Sequence, residues 1–310
     1  MAKPIIIQCC LCGAGTKKAQ APTVPYTAAE LAEQTIAVAK AGASIVHIHV
    51  REDKEVGGKL EVGYKSMSLQ KFTEAVETIR EETRKAGVDV LVNLTTSGGE
   101  YEDEKRLQHL SALRPEMCSF DPNTINWANS YIFENSPRFL NYLGEEAVKY
   151  DIKPEFEVFD TGHIDSVMYY VNKWNIPKPP HIQFIMGVGG SMPGTTENLA
   201  FLVGKLPEGA TWSVSGIGKA HMPMILAGLS MGADGLRVGL EDNILYGTDE
   251  SGNKIIGTNV SLVERAVELS KIAGRSIATA DEARKILGIT RNTLRDEKTN
   301  PTTWAPHAQG

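Results

Sequence analysis

Two histidines stand two residues apart, His47-Ile48-His49, in the β-branched run from Ser44 to Val50. Side chains at i and i+2 of a strand point the same way, with Cα atoms about 7 Å apart, so the two imidazoles can share one metal ion. A third ligand is needed, and two histidines with one carboxylate and an open position make a catalytic zinc pattern. The alternative is a pair of histidines hydrogen-bonded inside a core. Near the other end of the chain, Arg237-Val-Gly-Leu-Glu241-Asp242 sets a guanidinium close to two acids. Spacing alone leaves this either a rim ion-pair network or a catalytic group. Beside a metal, such an Arg can hold a substrate carboxylate bidentately, and an Asp oriented by it can serve as general base toward a metal-polarised substrate.

These residues need a scaffold that brings position 47 beside position 241. The apolar segment from Pro4 to Cys12 reads as a first strand, and Thr27-Ala-Ala-Glu30 is a capping box for a helix running to Lys40. The cycle then repeats. Strands are predicted at Ser44–Val50, Val88–Thr95, Pro115–Phe120, Glu155–Phe159, Ile182–Met186, Trp212–Ser215 and Gly235–Val238. Helices are predicted from about Leu69 to Lys85, Glu102 to Leu113, Pro137 to Tyr150, Ile164 to Lys173, Thr196 to Leu206, Ala220 to Met231 and Leu262 to Ala273. Gly42, Gly87 and Gly232 stop helices before the next strand. Eight strands each followed by a helix match a closed (β/α)8 TIM barrel better than an open doubly wound sheet. The chain reads as a single domain over 1–310, with a polar loop after the second strand. A further helix at Ala280–Leu287 and an extended tail carrying Trp304 form an extension over about 280–310, expected to serve assembly.

Alternation locates the inward face of such a barrel. His47 and His49, Asn93 and Thr95, and Glu155 and Glu157 alternate with apolar neighbours, and Ser119, Ser213, Ser215 and Arg237 fall at similar depths. Barrel cores are normally apolar and active sites gather at the C-terminal rim, so the pattern predicts a polar cavity there. Strands one, two and eight are neighbours in a closed barrel, which lets Glu241 join His47 and His49. Two glycine clusters, Gly187 to Gly194 and Gly216, Gly218 and Lys219, match no Walker or Rossmann fingerprint. They are tight βα turns or phosphate sites, with the second better placed for the pyrophosphate of a nucleotide-like ligand.

Composition narrows the partners. The net charge is -6, with 32 Lys+Arg against 38 Asp+Glu, and no basic block marks a nucleic-acid or membrane surface. A small molecule is the expected ligand. No apolar run has the length of a membrane span, and the start lacks the regions of a signal peptide, so a cytoplasmic protein is expected. Cys9, Cys10, Cys12 and Cys118 make no disulfide framework. The first three read as small buried residues of the first strand in preference to a redox or metal motif.

The assembled motifs resemble the β-keto acid cleavage enzyme family over nearly the whole chain. The resemblance runs through CGAGTK, VPYTAAELAEQTIAVAKAGASIVHIHVRED, the Thr95-Thr96-Ser-Gly-Gly turn, PEMCSF, PEFEVFDTGHI, WSVSGIGKAHMP and GADGLRVGLEDNI. It implies an oligomeric barrel, with a tetramer favoured, that binds Zn2+ and converts a β-keto acid plus acetyl-CoA into acetoacetate and a new acyl-CoA. By the resemblance, His47, His49 and Glu241 match the zinc ligands, Arg237 and Asp242 the dyad that activates the substrate, and Ser119 and Thr95 or Thr96 hydroxyl positions of the site. The CoA pyrophosphate would fall to Gly216, Gly218 and Lys219.

Three departures stand out. Gly15 occupies the position where lysine-fermenting members carry a Glu that meets the substrate's amino group, so an aminated β-keto acid is not the expected substrate. The segment from Glu52 to Ser66 is longer and richer in lysine than usual, and TTSGG is one residue fuller than the common TTGG turn. A metal-dependent aldolase or lyase acting without CoA, or an inactive metal-binding paralogue, are the competing readings.

Overall fold

The structure is a computed structural model that describes residues 3–290. Among them eight parallel strands close into a barrel: β1 (Ile6–Cys10), β2 (Ile45–Ile48), β3 (Leu91–Leu94), β4 (Met117–Phe120), β5 (Lys153–Val158), β6 (His181–Met186), β7 (Thr211–Gly216) and β8 (Gly235–Val238). Each strand pairs with the next in chain order, and β8 returns to β1. Eight helices cover the outside: α1 (Ala28–Ala41), α2 (Leu69–Ala86), α3 (Asp103–Leu113), α4 (Pro137–Lys149), α5 (Gly162–Trp174), α6 (Thr196–Val203), α7 (His221–Met231) and α8 (Asn259–Ile272). The expected fold is therefore the observed one.

Local chemistry sets these boundaries. Thr27 and Glu30 form the capping box of α1, and Gly42, Gly87 and Gly232 end α1, α2 and α7 in the left-handed region, with φ of 119°, 66° and 82°. Strand residues facing outward, such as Ile7, Val46, Leu94, Phe120, Phe156, Phe184 and Leu236, join helix residues such as Leu31, Phe72, Leu107 and Leu199 in one buried apolar layer.

Three antiparallel hairpins follow barrel strands: Val50–Val56 with Lys59–Ser66 after β2, Ile125–Trp127 with Tyr131–Phe133 after β4, and Leu245–Thr248 with Lys254–Ile256 after β8. The first replaces the polar loop. Its strands are largely solvated, so no hydrophobic alternation marks them, and Gly57-Gly58 at the turn, both with positive φ, was the available signal.

The extra helix, α9 (Ala280–Leu287), closes the floor of its own barrel. Ala280, Ala283 and Leu287 pack with Ala278 against Ile6, Ile45, Leu91 and Met117, residues of four neighbouring strands. Its Arg284 bonds Glu116 Oε1 at 2.7 Å and both oxygens of Asp89. The tail and Trp304 lie outside the described residues.

Candidate active site and metal centre

Strand β2 delivers the two histidines to the rim. Their rings meet edge to face with centroids 5.0 Å apart, and both are buried. Glu241 reaches them from the turn after β8. That turn crosses tightly over β1: Gly239 has φ 129°, a β-carbon there would stand 2.2 Å from the Cys10 carbonyl oxygen, and the Glu241 amide donates to the same oxygen at 3.2 Å. The carboxylate then lies 3.8 Å from His47 Nε2 through Oε2 and 3.5 Å from His49 Nε2 through Oε1. Burial pushes the His47 ring down to about 3, so at neutral pH it is the uncharged imidazole that can bind a metal. Burial alone would raise Glu241, but His49, His47 and Arg237 outweigh it and hold the carboxyl well below its usual range.

Donor chemistry fits a divalent ion. Among the described residues, one nitrogen or oxygen from each of His47, His49 and Glu241 lies within 4.8 Å of the others. Glu241 Oε2 is buried and has no hydrogen-bond partner there. Two imidazoles and a carboxylate are a borderline set suited to zinc and to other divalent ions of its kind.

Beside this triad, Arg237 on β8 is surrounded by acids. Nε and one terminal nitrogen fork onto Asp242 at 2.9 Å each, the other terminal nitrogen reaches Glu157 Oε1 at 2.6 Å, and a bond of 2.9 Å goes to Glu241 Oε1. Its fork is thus committed to Asp242, not presented to a substrate carboxylate. Ser215 at the end of β7 donates to Asp242 Oδ2 at 2.7 Å. Asp242 Oδ2 accepts two bonds and Oδ1 one, so Oδ1 is the freer oxygen.

Ser119 and Thr96 are tied together from adjacent strands: the Thr96 amide donates to Ser119 Oγ at 3.0 Å and Thr96 Oγ1 to the Ser119 carbonyl at 2.9 Å. Thr95 Oγ1 donates to Ser97 at 2.9 Å. Helix α3 grips this turn from behind, with Arg106 bonding the Thr96 carbonyl twice and His109 Nε2 lying 2.9 Å from the Thr95 carbonyl.

The glycine clusters serve close approach. A β-carbon at Gly190 would fall 2.2 Å from the Asn126 carbonyl oxygen, which lets the loop after β6 lie against the hairpin after β4. Gly216 admits the Ala220 carbonyl, and the Gly218 amide donates to the Asp242 carbonyl at 3.0 Å. The turn after β7 is thereby fixed to the turn that carries the acids, while Lys219 is exposed. Cys9, Cys10, Cys12 and Cys118 are buried and unbridged, and burial pushes the Cys12 thiol up to about 11 and the other three up as well.

Sequence reasoning did not assign roles to Glu157, Ser215, Asp121, Arg106, His109 or Gln8. Glu157 and Ser215 carried the inward signal of alternation. Gln8, the lone amide among Ile5-Ile6-Ile7 and Cys9-Cys10, carried it as well. Asp121, buried just past β4, is pushed up by burial and by Glu157. Arg106 and His109 lie one helical turn apart on α3, where a polar pair ordinarily reads as a solvated face.

Residues 4–289 match the model of the beta-keto acid cleavage enzyme family, and the chain belongs to that family. It is 37% identical over 290 residues to a 3-keto-5-aminohexanoate cleavage enzyme of Fusobacterium nucleatum, an alignment covering 93% of this chain and 99% of the relative. It is 33% identical over 292 residues to a 3-oxoadipate:acetyl-CoA acetyltransferase of Cupriavidus necator, covering 93% and 96%. A solved structure of ObcA, a ternary complex with a C4-CoA adduct and oxalate, superposes with a TM-score of 0.74 at 21% identity, over 86% of this chain and 68% of that one. This last likeness concerns the fold.

Proposed function

We propose that this protein exchanges acyl groups between a β-keto acid and acetyl-CoA, releasing acetoacetate and the CoA ester of the remainder. The observation that carries the reading is the joining, in one buried cluster, of a His47–His49–Glu241 ligand set and an Asp242 carboxylate aimed by Arg237. Relatives named for acetyl-CoA transfer and for β-keto acid cleavage support the same chemistry. Zn2+ held by His47, His49 and Glu241 would supply Lewis-acid stabilisation for the negative charge that develops on substrate oxygens.

The chain's own residues do the rest. Asp242 takes the proton from the carbon between the substrate's carbonyls, on Oδ1, while Ser215 and Arg237 keep Oδ2 and the plane of the carboxylate fixed. Arg237 holds Asp242, Glu241 and Glu157 at set separations, so the base and the ligand carboxylate move as one unit. Ser119 and the Thr95–Thr96 turn orient the substrate through hydroxyl groups at the rim. Lys219, with the Gly216–Gly218 turn that carries it, meets the CoA phosphates. The protein is read as cytoplasmic, in keeping with four unbridged thiols, and as a homo-oligomer, a tetramer by the family resemblance. Among the described residues no helix is long and apolar enough to cross a membrane.

The test is a panel of β-keto acids incubated with acetyl-CoA, with acetoacetate and the new CoA ester followed by mass spectrometry. Matched, stoichiometric appearance of both products is expected. Cleavage that continues unchanged without acetyl-CoA would overturn the proposal in favour of a lyase.

A further inference from the structure

Beneath the histidines the barrel interior is polar where branched apolar side chains are usual. His47 on β2 and Asn93 on β3 are register partners in adjacent parallel strands, both buried. The Asn93 amide nitrogen donates to Glu155 Oε2 at 2.8 Å, and Gln8 Nε2 donates to the same oxygen at 3.0 Å. A carboxylate oxygen with two amide donors fixes which way each amide faces, because a turned-over Asn93 would set oxygen against oxygen.

That orientation has a consequence on the far side of the amide. Asn93 Oδ1 and His47 Nδ1 are each buried and have no hydrogen-bond partner among the described residues. Because His47 and Asn93 are register partners, an orphaned ring nitrogen and an orphaned amide oxygen stand on neighbouring strands. His47 turns Nε2 toward Glu241, which leaves Nδ1 as the nitrogen that must carry the proton if Nε2 is to bind a metal. Metal-bound histidines usually donate this second N–H to an acceptor, which sets tautomer, ring orientation and ligand basicity.

We propose that Asn93 and Glu155 are positioning residues for the metal centre, in a relay that runs from Glu155 through the Asn93 amide to His47 Nδ1–H. Glu155 orients Asn93, and Asn93 holds the imidazole in the tautomer and rotation that present Nε2 to the ion. The inference rests on the metal reading of His47, His49 and Glu241.

The experiment measures the affinity of the full chain for Zn2+ alone, by competition with a chromophoric chelator, with thermal unfolding of each metal-free variant as a check of the fold. Asn93→Leu and Glu155→Met are expected to weaken Zn2+ binding between tenfold and a hundredfold. Glu155→Gln keeps an oxygen that can accept from Gln8 and Asn93, and is expected to stay within about threefold of wild type on the same reasoning. A folded Asn93→Leu protein with wild-type affinity overturns the relay, as does equal weakening by Glu155→Gln and Glu155→Met. Should Asn93→Leu not fold, nitrogen NMR of the Zn2+-loaded wild type decides: a His47 Nδ1–H protected from solvent exchange supports the relay, and its absence overturns it. Failure of the underlying metal reading looks different, because wild type and His49→Ala would then bind Zn2+ equally poorly.

Discussion

A β-carbon placed on Gly13 would stand 2.5 Å from Cγ of Glu241. The loop after β1 therefore passes over the ligand carboxylate with room for hydrogen alone, and Gly13 has φ 56°, where other residues are strained. Gly13→Ala is expected to push Glu241 off the histidines. Loss of bound Zn2+ and at least a hundredfold fall in turnover should accompany a small stability loss of about 1 kcal/mol. Metal analysis of the purified variant checks this, and full occupancy would show that Glu241 is not constrained by Gly13.

Base and metal are expected to separate by mutation. His49→Ala should lose bound Zn2+, whereas Asp242→Asn should retain it and cut kcat roughly a hundredfold to ten-thousandfold, the usual range for a general base. Parallel metal content and kcat measurements check both. Unchanged turnover in Asp242→Asn would remove that residue from proton transfer.

Gly15 is exposed, and a β-carbon there meets nothing within 4 Å. Gly15→Glu should therefore be accommodated and would supply a partner for an ammonium group. The wild type is expected to prefer neutral or anionic β-keto acids over aminated ones. The variant should shift kcat/KM toward the aminated substrate by about tenfold or more, the worth of a charged hydrogen bond. A wild type that already favours the aminated acid would contradict the reading.

Glu155 supplies a pH test. Burial raises its carboxyl from 4.5 to about 7, and Oε1, buried with no hydrogen-bond partner among the described residues and with His181 Nε2 3.9 Å away, is the oxygen free to carry the proton. Between those two values the folded chain holds a proton that the unfolded chain has released. Stability from this group is fully present below pH 4.5 and is lost as pH rises toward 7. The Tm difference between wild type and Glu155→Gln should therefore fall across that window and level off above it. A difference independent of pH would mean that Glu155 does not titrate there.

Leu287 of α9 is fully buried on the barrel floor, at the end opposite the chemistry. Leu287→Ala is expected to lower stability by about 2–5 kcal/mol while leaving kcat of the folded enzyme within about twofold. Denaturant unfolding and kcat at low temperature check the two halves.

Much of this was legible in the chain. The eight strands follow from apolar runs bounded by glycine stops, and His47, His49 and Glu241 follow from alternation plus the adjacency that barrel closure imposes. The rim hairpins were not, because residues such as Glu52, Lys54 and Glu61 are solvated and a strand with two wet faces has no hydrophobic period. The partners of Arg237 were only half visible: Glu157 lies 80 residues away, and alternation states which way a side chain points but not what it meets. The grip of Arg106 on Thr96 was hidden, since a guanidinium on a helix reads as surface until its carbonyl partner is known.

The floor has a bearing on how the chain is made. Ile5 bonds the backbone of Ser276 and Ala278, and Ala278 accepts from Ser44, so the last described segment is stitched to the first strand. During synthesis Ile6, Ile45, Leu91 and Met117 emerge long before residues 278–287 that cover them. A nascent barrel therefore waits with an open apolar base until translation has passed residue 287. The closing step of folding thus follows the emergence of residues 278–287, and a product cut short at residue 275 would present that base to whatever apolar surface it meets.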